Sequence, residues 1–428
     1  MMGARVHAMP QRPIQPVQRQ RTRATAFSLV ISSLTLVGCN SSDGLPNVLY
    51  LAIATSRDQT IDGELLQESR RRIGLLETGF RQLHPSTHFQ FSLYPRERIE
   101  AVMHRRTRAG LGPDLLLVNG ETAVQLLNQG LTDPFPATAE QLKPFPSQEI
   151  ERLRDSKGRL AAIPLAVQSQ LACFNSRRLP KPPDSIQTLL SVSANGSPIG
   201  LSIELTDLIW SAGSLGALEG LIQAAAGQIP TASARQGIDR WLAWLQQANA
   251  VQKVTFYPNY ESAEVDFLAG RLDWIPCPST ALPRLSKHLG AALGICNLPK
   301  GNWGDASPLN QVRMLALGKS SSRAGRKRAL AFSHFSINPL SQRNFCICSQ
   351  VALPANRFVG VPVNSSPALR AMAIAIRHGQ RTNILSRLLQ NNRARINKTQ
   401  TQITELVFGE DNPVSTGNQL VHILRGQP

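Results

Sequence analysis

The sequence predicts an α/β fold built on a parallel sheet. Short apolar runs alternate with amphipathic segments from residue 47 onward, in the order strand, helix, strand, helix, strand, helix. The first run, NVLYLAIA at 47–54, is apolar almost throughout, which is typical of a strand covered on both faces. This alternation favours parallel strands joined by right-handed helical crossovers. Because ligands bind at the carboxyl ends of such strands, the loops after the first and third strands are candidate binding loops.

Local patterns predict the next elements. The segment THFQFSLYP at 87–95 alternates as a strand does, and 115–118 (LLLV) is a third, buried strand. A helix is predicted over 121–130, with Gly130 ending it. The first helix is predicted from an apolar stripe at helical spacing, whose members are Leu66, Ile73, Leu76 and Phe80.

A polar break interrupts the apolar sequence GRLAAIPLAVQSQLACFNSRRL at 158–179. Gln168, Ser169 and Gln170 separate its two apolar runs. Such a break predicts a cleft edge or a strand that crosses between domains. Further along, Asp184 is a predicted helix N-cap. The C-terminal third is mainly helical, and no internal repeat is present.

The leader predicts export and lipidation. Residues 1–38 contain five arginines and no acidic residue, and end in an apolar run too short to span a bilayer. We expect 1–38 to be a signal peptide. The motif Leu36-Val37-Gly38-Cys39 resembles the bacterial lipoprotein box, in which the cysteine becomes acylated, so 39–46 is expected to be a lipidated tether. An ordinary buried cysteine, a signal cut elsewhere, and a start at Met9 rather than Met1 are the alternatives.

Five cysteines remain after Cys39, and none form a C-x-x-C pair. We expect buried free thiols, with a Cys277–Cys296 disulfide as the alternative in an oxidising compartment.

The formal net charge is +18, yet the basic residues are scattered. Their densest runs, at 70–72 and 323–328, are short, and the sequence contains no zinc-finger, RRM or helix-turn-helix pattern. We therefore expect a solvated basic surface and no nucleic-acid partner.

Catalytic motifs are missing from the sequence. It contains no G-x-S-x-G or H-E-x-x-H motif, and Arg313 replaces the first glycine that a P-loop ending at 318–320 would need. The eight histidines are dispersed. No enzyme activity, cofactor or metal is expected.

Six segments in order resemble the extracellular solute-binding proteins of ABC importers, of the sugar-binding type that includes maltose-binding protein. Together they cover nearly the whole chain after the leader. The segments are ETGFRQLHPSTHFQFSLYP, GPDLLLVNGETAVQLLNQGLTDPF, GRLAAIPLAVQSQLACFNSRRL, PPDSIQTLL, FLAGRLDW and VRMLALGKSSSRAGRKRALAFSHFSINPLSQRNF.

The resemblance implies a two-lobed, type II periplasmic-binding-protein-like fold with a hinge and an interlobe cleft. It places lobe 1 at 47–173 and 295–334, and lobe 2 at 174–294 and 335–428. It also implies a monomer on the periplasmic or cell-surface side of the cytoplasmic membrane. There it would capture a small solute, a carbohydrate by analogy, and deliver it to ABC permease subunits.

Ligand-binding candidates come from the predicted loops and from the family positions. Aromatic rings would stack on a sugar, and polar groups would bind its hydroxyls. The aromatic candidates are Trp210, Tyr260 and Trp303; the polar candidates are Ser56, Asp58, Asn119, Glu121, Gln168 and Asp207. Lobe core is the alternative for Trp210, and a solvated loop residue or helix cap is the alternative for the polar candidates. Aromatics make up only 5% of the chain, which leaves open a non-sugar, anionic solute, or a degenerate cleft in a sensor or scaffold lipoprotein.

Overall fold

Two β-sheets, each covered by helices, make up the fold in a computed structural model that describes residues 47–57, 59–389, 392–409 and 411–426. The predicted signal peptide, Cys39, the tether and Asp58 lie outside the described residues. The strands are β1 (Asn47–Ala54), β2 (Thr87–Tyr94), β3 (Leu115–Asn119), β4 (Thr132–Asp133), β5 (Ile163–Gln168), β6 (Gln170–Asn175), β7 (Ile199–Ser202), β8 (Val254–Tyr257), β9 (Trp274–Pro278), β10 (Leu293–Cys296), β11 (Gln311–Gly318) and β12 (Leu353–Pro354).

The α-helices lie between and after these strands. They are α1 (Gly63–Leu83), α2 (Ile99–Arg108), α3 (Gly120–Asn128), α4 (Ala139–Leu142), α5 (Ser147–Arg152), α6 (Ile186–Ala194), α7 (Leu205–Leu208), α8 (Trp210–Ser214), α9 (Leu218–Ala225), α10 (Ala232–Ala250), α11 (Tyr260–Leu268), α12 (Leu282–Leu289), α13 (Arg323–Ile337), α14 (Pro339–Ser349), α15 (Pro367–His378), α16 (Gln380–Leu389), α17 (Arg393–Phe408) and α18 (Pro413–Arg425).

Lobe 1 is built on a seven-stranded sheet in the order β12-β5-β11-β3-β1-β2, with β4 also paired to β11. β1 runs parallel to β2 and β3, whereas β11 runs antiparallel to β3 and β5. The predicted parallel start is therefore confirmed. The apolar stripe on α1 explains its packing, since Ile73, Leu76 and Phe80 are buried in the core of this lobe.

Lobe 2 is built on a five-stranded sheet in the order β10-β6-β9-β7-β8. The helices α8, α9, α10, α17 and α18 contribute to its larger core, and α11, α12 and α15 to a smaller one around β6 and β9. Trp241 lies in the larger core, fully buried.

The chain passes between the sheets at points that differ from the predicted ones. β5 belongs to the first sheet and β6 to the second, so the first connection between the lobes is the single residue Ser169. The second and third connections between the lobes lie at 297–310 and 355–366. They bracket β11, α13, α14 and β12, which belong to lobe 1, whereas β10 is in the second sheet. The predicted boundaries at 173, 294 and 334 thus cut through or next to β6, β10 and α13. These boundaries came from the resemblance, whereas the polar break at 168–170 in the sequence pattern coincides with the first crossing.

Hydrogen bonds hold Ser169, the first connection between the lobes, in place. The Ser169 hydroxyl donates to Asn310 Oδ1 at 2.7 Å, and its backbone N–H donates to Ser279 Oγ at 3.3 Å. Ser279 lies in lobe 2 and Asn310 in the second connection. The polar break at 168–170 is therefore polar because the crossing segments bond to one another there.

A disulfide joins Cys173 in β6 to Cys277 in β9, with a Cα–Cα distance of 5.8 Å. The expectation of free thiols is wrong for this pair, and the Cys277–Cys296 alternative is wrong as well. The physical reason is register, since β6 and β9 are antiparallel neighbours and place Cys173 opposite Ile275, two residues from Cys277. Cys296 and Cys346 are free, and burial raises the pKa of both thiols, that of Cys296 to about 12.

Local capping agrees with the predictions in part. Gly130 adopts a positive φ of 69° after α3, as a helix-ending glycine does. The cap of α6 is Ser185 rather than Asp184, and its hydroxyl accepts from the Thr188 N–H. Among the described residues, no helix is both long and apolar enough to cross a membrane.

Candidate functional site

A cavity lies where the two lobes face each other, at the carboxyl ends of β1, β3 and β5. Its empty volume is about 1190 Å³, including space open to solvent. Ser56 and Gln168 line it from lobe 1, and Tyr260 and Arg284 line it from lobe 2. We call it the interlobe cavity. This position matches the expectation that ligands bind beyond the carboxyl ends of parallel strands.

Ser56 and Gln168 meet in this cavity. Ser56 follows β1 and Gln168 ends β5, so two separate strands deliver the two side chains to one place. The Ser56 hydroxyl donates to Gln168 Oε1 at 2.7 Å. Because this bond leaves the amide NH₂ of Gln168 available, the pair offers donors to a polar solute.

Tyr260 begins α11, where Asn259 caps the helix by accepting from the Ser262 N–H. Its side chain is buried, and its hydroxyl donates to Glu264 Oε1 at 3.0 Å. Burial and the neighbouring Glu264 raise the pKa of Tyr260 well above its ordinary value. Burial also raises the pKa of Glu264, although Arg284 opposes the rise. Tyr260 is thus a neutral, fixed hydrogen-bonding ring at the lobe 2 wall.

Arg57 connects the lobes beside the cavity. Its guanidinium reaches from the end of β1 to Asp207 in α7, to which Nη2 donates a hydrogen bond. Glu204 and Glu261 lie 3.7 and 3.9 Å from it, and the guanidinium stacks over the Tyr260 ring at 5.4 Å. Burial disfavours the Arg57 charge, but Asp207, Glu261 and Glu204 together outweigh it and raise the pKa of the guanidinium.

A second set of ion pairs connects α1 of lobe 1 to α12 of lobe 2. Glu64 lies 3.3 Å from Arg284 Nε and 2.8 Å from Lys287 Nζ. Arg284 also lies 3.4 Å from Glu264. The hydrogen bond from Lys287 lowers the pKa of Glu64. The two sets of ion pairs thus join the lobes at two places beside the cavity.

Asn119 and Glu121 lie in a neighbouring cavity of about 740 Å³. Asn119 caps α3 by accepting from the Thr122 N–H at 2.8 Å, and Glu121 lies 3.7 Å from Arg96. Asn383 of α16 also lines this cavity. The structure therefore places these two candidates between the lobes, but separates them from Ser56 and Gln168.

Two of the predicted aromatic ligand contacts are placed elsewhere. Trp210 is 0% exposed and packs edge-to-face against Trp244 and Trp274 in the core of lobe 2. Trp303 is 59% exposed and stacks on Arg240, in a depression lined by lobe 2 and the second connection. Neither ring lines the interlobe cavity. Asp207 is 2% exposed and is occupied by Arg57 rather than directed at the cavity.

The sequence reasoning missed the charged residues that line the cavity. Arg72, Glu264, Arg284 and Arg313 all contribute to its wall. One signal was available for Arg313, which interrupts the apolar strand QVRMLALG and is therefore a buried charge. In the part of the chain that the structure describes, no group of three or more histidine, cysteine or acidic side chains could hold a metal ion.

Comparisons with solved structures agree with this architecture. The GacH receptor of Streptomyces glaucescens GLA.O, solved without ligand and with acarbose, superimposes with a TM-score of 0.62 at 13% identity, over 89% of this chain and 99% of the receptor. MalE from Bdellovibrio bacteriovorus bound to maltotriose superimposes with a TM-score of 0.64 at 15% identity, over 89% of this chain and 99% of MalE. A cyclo/maltodextrin-binding protein complexed with maltotetraose superimposes with a TM-score of 0.61 at 15% identity, over 90% of this chain and 98% of that protein. At these identities the likeness shows the two-lobed fold.

No curated protein matches the sequence significantly. Residues 93–370, more than half of the chain, match the family described as bacterial extracellular solute-binding protein. The match begins in β2, passes through all three connections and ends in α15, so it includes parts of both lobes; β1 and α1, which also line the interlobe cavity, precede it. The chain therefore belongs to the family of bacterial extracellular solute-binding proteins.

Proposed function

We propose that this protein is the solute-binding component of an ABC importer, which captures a sugar or sugar-like solute between its lobes and delivers it to membrane permease subunits. The interlobe cavity carries the proposal, because its walls come from both lobes and a bound solute would contact both. A solute that contacts both lobes favours their closure, and closure is the signal that a permease can read. The sugar class is supported by the structural neighbours, whose ligands are acarbose, maltotetraose and maltotriose.

Ser56, Gln168 and Tyr260 are the polar contacts that we assign to this solute. They lie on both walls of the cavity, and their hydroxyl and amide groups match the donors and acceptors of a polyol. Asn119 and Glu121 would contact only a solute long enough to reach the neighbouring cavity.

We further propose that Cys39 is acylated and anchors the protein as a monomer on the outer side of the cytoplasmic membrane. The family is extracellular, and the leader has the charged, apolar and small-residue regions that lipoprotein signals have. Membrane fractionation tests this. Cys39→Ser should abolish acyl labelling and move the protein out of the membrane fraction; a wild-type protein that is already soluble and unlabelled would contradict the anchor.

Thermal unfolding in a panel of mono- and disaccharides tests solute capture. A solute that binds only the folded chain raises its stability by about 2.7 kcal/mol at a hundred times its Kd. Small-angle scattering on the same samples should show a smaller radius of gyration with the active solute.

The variant Gln168→Ala should weaken the response, whereas Trp303→Ala, outside the interlobe cavity, should leave it unchanged. If no solute stabilises the protein or closes the lobes, the transport proposal fails. If the two variants respond alike, the cavity assignment fails.

A further inference from the structure

The interlobe cavity extends into lobe 1 as an aliphatic pocket. Ile53 of β1 is paired in register with Leu93 of β2 and Leu117 of β3, and these three side chains line the same pocket. Ile73 and Leu76 of α1 cover them. We call this part of the cavity the aliphatic arm. Since its walls are branched alkyl groups, it favours a hydrocarbon rather than a hydroxylated surface.

A buried guanidinium lies at the sheet side of the aliphatic arm. Arg313 is 5% exposed and lines the cavity. Its Nη2 donates to the backbone oxygens of Ala54 and Leu117, at 2.6 and 3.0 Å. Within the described residues no carboxylate forms an ion pair with it. A buried cation without a counter-charge is costly, and burial together with Arg72 and Arg96 lowers the pKa of Arg313 far below its ordinary value.

A second cation, Arg72 of α1, lies at the same pocket. Its side chain is 13% exposed, and Nε is buried without a hydrogen bond, 3.3 Å from Glu68 Oε1. Glu68 is shared, because Arg71 Nε also approaches it at 2.9 Å. One carboxylate therefore serves two guanidinium groups, which leaves Arg72 and Arg313 together with an excess of positive charge.

The other carboxylates at the cavity are already paired. Glu64 and Glu264 both contact Arg284, and Glu261 lies 3.9 Å from Arg57. The four glutamates and three arginines of the lining are thus unevenly distributed, and at the alkyl walls the local charge of Arg313 and Arg72 is positive. Tyr260 and Phe345 are the two aromatic rings in the described lining, so little stacking surface for a sugar is present.

We propose that the solute carries a carboxylate on an aliphatic chain, with the carboxylate at Arg313 and Arg72 and the chain in the aliphatic arm. This inference rests on the proposed capture of a solute between the lobes, and it replaces the sugar class proposed above with a different solute class. Guanidinium groups bind carboxylates through charge-assisted hydrogen bonds, and the anion supplies the counter-charge that Arg313 lacks. Each methylene buried in the arm adds about 0.8 kcal/mol, which is about a fourfold gain in affinity.

Titration calorimetry and thermal unfolding of the purified chain with octanoate test the proposal. Octanoate should bind saturably. Hexanoate should bind at least about tenfold more weakly than octanoate, because it has two fewer methylenes. Acetate, 1-octanol and octylammonium should also bind at least about tenfold more weakly than octanoate. Equal binding of octanoate and 1-octanol, or no binding of octanoate, would overturn the carboxylate site.

Arg313→Met and Arg72→Gln should each weaken the binding of octanoate by about tenfold or more. Arg326→Met is the matched control, because Arg326 lies in the same lobe but pairs with Asp133 outside the cavity. Arg313→Met keeps an unbranched apolar side chain and removes an uncompensated buried charge, so its unliganded melting temperature should be at or above that of the wild type. If Arg313→Met fails to fold, Arg72→Gln and Arg313→Gln decide. Wild-type octanoate affinity in both overturns the proposal.

Maltose in the same panel separates the two proposals. Maltose that binds and closes the lobes while octanoate does neither refutes the carboxylate site and keeps the importer function. Octanoate that binds through Arg313 without closing the lobes confirms the site and refutes solute capture by closure.

Discussion

Arg57 and Asp207 form a buried ion pair that joins lobe 1 to lobe 2. The two side chains are 11% and 2% exposed, and they come from the end of β1 and from α7. Because both charges are removed from water, Asp207 depends on Arg57 for its counter-charge, whereas Arg57 also has Glu204 and Glu261 at 3.7 and 3.9 Å.

Arg57→Met should lower the free energy of unfolding by about 3 kcal/mol, since it leaves the buried Asp207 carboxylate without its counter-charge. Urea denaturation measures this. The double variant Arg57→Met/Asp207→Asn should lose less than the sum of the single variants, because the unpaired charge is gone. Strict additivity in the double-mutant cycle would show that the pair is not coupled.

Trp210→Ala should cost about 3–5 kcal/mol of stability, as expected for a large ring removed from a packed core. Trp210→Phe retains most of the packing and should fold with wild-type solute affinity. Thermal unfolding and calorimetry separate the two effects. Trp303→Ala, at an exposed ring, is the control and should change stability little. A Trp210→Phe variant that folds but loses solute binding would return Trp210 to the site.

Acid should weaken the contact between the lobes. The pKa of Glu64 is lowered by its hydrogen bond from Lys287, relative to the ordinary value of 4.5 that it recovers when the lobes separate. Its contribution to closure is therefore complete above pH 4.5 and is lost as the pH falls through the lowered pKa. Small-angle scattering from pH 7 down to about pH 3 should show expansion in this range, and Glu64→Gln should remove that part of the pH dependence. An unchanged profile in Glu64→Gln would contradict the assignment.

Cys277→Ser should destabilise the protein by about 4 kcal/mol, because the disulfide closes a loop of 104 residues in the unfolded chain. Reducing agent should lower the wild-type melting temperature in the same way and leave that of Cys277→Ser unchanged. Cys348→Ser, at an exposed free cysteine, is the control. Equal stability of the oxidised and reduced wild type would rule out the bond.

Much of the first lobe could be predicted from local pattern. Asn47–Ala54 and Leu115–Asn119 are strands where apolar runs occur, and Gly130 ends its helix because a left-handed conformation suits glycine. The polar break at 168–170 marked a real crossing. What pattern could not supply was the sheet to which each apolar strand belongs, since β5 and β6 are equally apolar on either side of Ser169.

The candidate site was predictable mainly where a residue lies at the end of a strand. Gln168 ends β5 and Ser56 lies two residues after β1, and they meet. Trp210 was misassigned because the sequence does not show which face of a short helix is turned to the core. Arg313 and Arg72 were missed because pairing decides whether a charge is compensated. Glu68 is shared between Arg72 and Arg71, and in the described part of the chain Arg313 has no carboxylate partner.

The position of β11 in the first sheet has a consequence for biosynthesis. It lies between β3 and β5 but is made more than 140 residues after β5. A nascent chain that ends before Gln311 therefore presents two unpaired strand edges and cannot complete lobe 1. We therefore expect lobe 1 to stay incomplete until the chain has been synthesised through Gly318, the end of β11.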